Sequence, residues 1–99
     1  MSTDNDVIEK QKVKLEKPKK WAVVLHNDAI TPMDFVVELL HYVFHMDVNT
    51  ATELMIKIHT EDKGVAGVYS FEIAEQKHAE AVMLVQAANF DLKISLEEE

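Results

Sequence analysis

Trp21-Ala22-Val23-Val24-Leu25-His26-Asn27-Asp28-Ala29-Ile30-Thr31-Pro32-Met33-Asp34-Phe35-Val36 decides the fold. Its first six residues form a short apolar, β-rich run, the pattern of a strand. Asn27-Asp28 then halts it, because both side chains bond readily to nearby backbone and favour turns. Thr31-Pro32-Met33-Asp34 reads as a helix start. Thr31 is placed as the N-cap, Pro32 suits the first helical position, and Asp34 suits a capping-box-like pair and the positive end of the helix dipole.

Moving outward, Asp34, Glu38, His41 and His45 recur at helical steps on one polar face, which predicts a helix to about His45. Phe35, Val36, Leu39, Leu40 and Val43 fill its apolar side. Asp47 caps a second predicted helix over 48–59, with Val48, Ala51, Met55 and Ile58 as its stripe and His59 at its end. Glu61-Asp62-Lys63-Gly64 breaks it. Val65 to Tyr69 reads as a strand in which Gly67 marks a bulge or a close backbone approach. Ser70 is expected to cap a third helix over 71–88, with a stripe of Ala74, His78, Ala81, Val82 and Val85. Asn89 suits a left-handed stop. Phe90, Leu92, Ile94 and Leu96 alternate with polar residues as a half-buried last strand, and the triple Glu end is expected to fray. The order is β-α-α-β-α-β, which predicts an α+β fold: a three-stranded antiparallel sheet packed against three helices.

The 99 residues leave room for one domain with a modest core. Charge is uneven along them. Residues 1–20 hold six lysines against Asp4, Asp6, Glu9 and Glu16, whereas residues 21–99 hold Lys57, Lys63, Lys77 and Lys93 against fourteen acids. The first segment is too polar to offset its ordering entropy and is expected to be a flexible arm bounded near Pro18, with 21–99 as the folded domain. The acidic domain repels phosphate backbones, so nucleic acid is not an expected partner and cationic groups are favoured. No cysteine is present, which removes disulfides, thiol catalysis and cysteine-based zinc sites. No apolar run reaches the roughly 20 residues of a membrane span, and the N-terminus lacks a signal-peptide core; the expectation is a cytoplasmic protein, and nothing calls for more than a monomer.

Three polar groups stand out. Asn27 and Asp28 follow a strand and precede a helix, and His59 ends a helix with an apolar inner face. Packed together, an amide oxygen, a carboxylate and an imidazole would converge beside Met33, Val36, Met55 and Ile58. A primary ammonium has three donors and no acceptor, so it calls for such acceptors. An adjoining apolar pit would take the side chain beside that ammonium. The same spacing also fits an ordinary turn and a structural histidine. His41 and His45, at i and i+4 with Glu38 on their face, are a rival metal pair, although no Glu follows His41 as a metalloprotease pattern requires. His26 and His78 read as structural. A glycine-rich phosphate loop and a G-x-S-x-G nucleophile are both missing, so the chain reads as non-catalytic and calls for no cofactor.

These residues resemble a known family. Asn27-Asp28-Ala29-Ile30-Thr31-Pro32-Met33-Asp34-Phe35-Val36 is similar to the V-N-D-D-x-T-P-M-E-F-V pattern of ClpS, the adaptor of Clp proteases. Ala51-Thr52-Glu53-Leu54-Met55 with Ile58-His59 resembles its A-T-x-L-M…V-H segment, and Gly67-Val68-Tyr69 with Glu72 to Lys77 its G-V-Y…E-V-A-E-x-K. The resemblance spans about residues 21–96. It implies binding of N-degrons that begin with Leu, Phe, Tyr or Trp and their delivery to a hexameric Clp unfoldase, ClpA or a relative, with residues 1–20 matching the family's arm in character. It further implies that Asn27 and His59 accept from the substrate α-amino group, with Asp28 adding charge. Met33 would gate against β-branched first residues, and Thr31, Val36, Met55, Ile58 and Leu92 would wall the pocket. Three positions depart from the pattern: Ala29 replaces the second Asp, Ala66 a frequent Cys, and Asp62 a loop glycine. An acidic interaction module with a vestigial pocket is the alternative.

Overall fold

The computed structural model describes residues 18–99; most of the expected arm, residues 1–17, lies outside them. Six elements follow in the order β1 (Trp21–His26), α1 (Met33–Phe44), α2 (Val48–Glu61), β2 (Lys63–Tyr69), α3 (Phe71–Ala87) and β3 (Ile94–Glu98). The sheet order is β2-β1-β3, antiparallel on both sides of β1. The α+β architecture expected from the sequence is the one observed.

β1 is central because its residues are apolar on both faces. Val23 and Leu25 point into the core, against Leu39, Leu40 and Val43 of α1, Ala51 and Ile58 of α2, and Ala74, Ala81 and Val85 of α3. Burying each large aliphatic side chain contributes about 1.5–3 kcal/mol. Ala22 and Val24, on the opposite face, are buried between the flanking strands.

Between Val23 and Val24 the pairing with β2 slips, because Val23 faces Gly67 while Val24 faces Val65. Ala66 is the extra residue of this bulge. Gly67 also meets the expectation of a close approach: a Cβ there would overlap the Tyr69 phenol. Burial of that phenol raises its pKa above the usual tyrosine value.

Several local expectations are corrected. Pro32, not Thr31, is the N-cap of α1, and its carbonyl accepts from Phe35 and Val36. Thr31 turns back to Asp28 instead. α1 ends at Phe44, with His45 left-handed at its C-cap, so His41 and His45 do not share a helical face as an i, i+4 pair. The His41 ring bonds to the Met46 carbonyl at 2.7 Å. Val48 is exposed rather than in the stripe of α2, and that helix runs on to Glu61. β3 starts at Ile94, later than the alternation from Phe90 implied; Phe90 packs edge-on to Phe35 at 5.0 Å. Glu97 and Glu98 belong to β3 rather than to a frayed end, and the Glu99 N–H donates to the Lys20 carbonyl.

His26 and His78 act as ties, to the Ser95 hydroxyl and the Ile94 carbonyl, both at 2.8 Å. Among the described residues no helix is long and apolar enough to cross a membrane.

Candidate functional site

A cavity of about 240 Å³ opens where β1 ends, α1 begins and α2 ends. It is lined by Asn27, Asp28, Ala29, Ile30, Thr31, Pro32, Met33, Val36, Met55, Ile58, His59 and Leu92. All nine residues expected at the site therefore border one hollow. Drug-sized ligands occupy roughly 300–1,000 Å³, so this space suits a single bulky side chain.

Each wall follows from its element. Val36 sits one turn into α1 on its apolar face, and Ile58 holds the same place near the end of α2. Both are buried, as is Leu92 in the loop before β3. Met55 is half-buried and Met33, at the first position of α1, is exposed. The floor is thus greasy and fixed, while the mouth carries a flexible thioether, a side chain able to adapt its shape.

The polar edge is wetter. Asn27 and His59 are exposed and Asp28 is half-buried. The turn that carries Asn27 and Asp28 is pinned from both sides. The Asn27 N–H donates to the Asp62 carbonyl at 2.7 Å, tying the end of β1 to the residue just after α2, three positions beyond His59. Asp28 Oδ2 accepts from the Thr31 N–H at 3.0 Å and from the Thr31 hydroxyl. Thr31 is only 7% exposed, so its hydroxyl is matched where water is scarce.

Asp28 also answers an electrostatic problem. The start of α1 carries partial positive charge, which repels cations. The Asp28 carboxylate lies just before that end, and among the described residues only its Oδ2 takes a hydrogen bond from the chain. Among the described residues no hydrogen bond from the chain itself takes up the Asn27 amide or the His59 ring. The arrangement offers acceptors at an exposed rim and an apolar well directly below, the complement of an ammonium next to a bulky side chain. No group of three or more potential metal ligands occurs among the described residues.

The reading of the sequence did not single out Ile30 or Pro32 as site residues, yet both line the cavity. Ile30 is 82% exposed. A large apolar residue inside a polar turn was the available signal.

Comparison with known proteins points one way. The family model described as "ATP-dependent Clp protease adaptor protein ClpS" matches residues 16–95. A ClpS of Vibrio atlanticus is 43% identical over 97 residues, covering 98% of this chain and 92% of that protein. A ClpS of Paraburkholderia phymatum is 43% identical over 95 residues, covering 96% and 91%. Among solved structures, Agrobacterium tumefaciens ClpS2 bound to L-phenylalaninamide superposes with a TM-score of 0.81 at 37% identity, covering 84% of this chain and all of that one. With the family model spanning most of its length and relatives this close, the chain belongs to the ClpS family of Clp protease adaptors.

Proposed function

We propose that this protein is a non-enzymatic adaptor that binds the first residue of N-degron substrates, those beginning with Leu, Phe, Tyr or Trp, and delivers them to a Clp AAA+ unfoldase. One observation carries the reading: the acceptor-rich rim of Asn27, Asp28 and His59 lies directly on the apolar well of Val36, Met55, Ile58 and Leu92. L-phenylalaninamide, the molecule bound by the Agrobacterium relative, joins a primary amine to a benzyl side chain and so matches both halves. The substrate α-ammonium bonds to the Asn27 amide oxygen and a neutral His59 nitrogen, while Asp28 supplies charge. The first side chain descends past Met33, which narrows the mouth against branching at Cβ, and Thr31 closes the wall. The unfoldase is of the ClpA type, and residues 1–20 serve as the delivery arm.

The net negative charge of residues 21–99, with Ala29 in place of a family carboxylate, favours a second reading as an acidic interaction module with a vestigial pocket. Peptides differing only in residue one separate the two. Phe-first peptides are expected to bind about ten- to hundredfold more tightly than Ala-first ones, the effect of burying one large apolar group. N-acetylation removes the charge and leaves a single N–H donor, and is expected to abolish binding. Affinity that follows peptide charge regardless of residue one supports the acidic module instead.

A further inference from the structure

We infer that Ile30 contacts the second residue of the bound chain and sets a preference there for apolar side chains; this deepens the pocket reading and rests on it. The lining residues narrow the way out. When the first side chain occupies the well and its ammonium meets Asn27, Asp28 and His59, the carbonyl of that residue has to leave across the remaining rim. Of the lining residues, those given neither to the ammonium nor to the walls of the well are Ala29, Ile30, Pro32 and Met33.

Ile30 is the most exposed large apolar residue among those described, at 82%. It is not loosely held. Its neighbour Thr31 is buried and bonded twice to Asp28, so the bend keeps Ile30 outside the core and beside the mouth. An aliphatic group kept in water next to an apolar well is covered when a chain passes over it. Ala29 beside it is too small to compete for that contact and carries no charge.

Covering part of one aliphatic side chain corresponds to about a three- to tenfold gain in affinity. The test is a set of Phe-first peptides with Leu, Ala or Ser at the second position, titrated by fluorescence anisotropy against the wild type, Ile30→Ser and Ile30→Val, with Ala-first peptides as wild-type controls. The wild type is expected to favour Leu over Ser at the second position by that factor. Ile30→Val should retain the preference and Ile30→Ser should flatten it, with thermal melts verifying that each variant is folded. An identical Leu-to-Ser ratio in the wild type and Ile30→Ser overturns the assignment of Ile30 alone. A wild type that does not distinguish Phe-first from Ala-first peptides overturns the pocket reading, and this inference with it.

Discussion

His45, Asp62 and Asn89 hold positive φ angles of 58°, 80° and 62°. Asn tolerates that region well, and a left-handed Asn89 was legible from its place after an apolar helical stripe. Asp62 is the more telling case. Its φ of 80° with ψ of −20° is the geometry that turns reserve for glycine, and the resemblance to ClpS places a glycine there. The residue is held in that shape because its carbonyl accepts the Asn27 N–H. Asp62→Gly is therefore expected to stabilise the fold by about 0.5–1 kcal/mol, read as a raised denaturant midpoint at unchanged m. An unchanged or lower midpoint would mean that the carboxylate offsets the backbone cost.

At the scale of elements, the three helices begin differently. Neither Pro32 of α1 nor Ser70 of α3 makes a side-chain cap bond. Asp47 does, accepting from the Thr50 N–H at 2.8 Å. That bond, aided by the Thr50 side chain and by His41, holds the Asp47 carboxyl below its ordinary pKa. A depressed pKa contributes stability at pH values above the unfolded carboxylate range, and the contribution is lost as pH falls through the lower folded value. Asp47→Ala is thus expected to lower Tm by a few degrees at pH 7, with the gap to wild type closing on the acid side. A gap independent of pH would assign the effect to helix propensity instead. The cap was readable because an Asp just before a helical apolar stripe can accept from the backbone N–H three residues on, whatever residue stands there; the bond of Asp28 to Thr31 was not, because Thr31 fits a cap equally well until Pro32 is seen to hold that position.

For the whole molecule, the pocket depends on how closely β2 lies on α2. A Cβ at Gly64 would stand 2.9 Å from Ile58 Cγ1 and 3.0 Å from Leu54 Cδ1. Ile58 is part of the cavity wall and only 2% exposed, so it has little room to yield. Gly64→Ala is expected to cost about 1–3 kcal/mol by overpacking and to weaken Phe-first peptide binding, because the displaced isoleucine narrows the well. Full stability and affinity in Gly64→Ala would show that the two elements part without disturbing the site.

Helix and strand types, their order and the left-handed stop were determined by the sequence itself, since periodicity, caps and turn chemistry act over a few neighbouring residues. Candidate site residues were also nameable there, through side-chain chemistry and likeness to a family. Only the tertiary structure decided that Asn27, His59 and Leu92, remote from one another in the chain, border a single cavity. It likewise decided that one oxygen of Asp28 is committed to Thr31, that Ile30 stands in solvent at the rim, and that β1 lies between β2 and β3. Such facts arise from packing and register between distant segments, where burial is settled by what lies across the core and no local pattern records it.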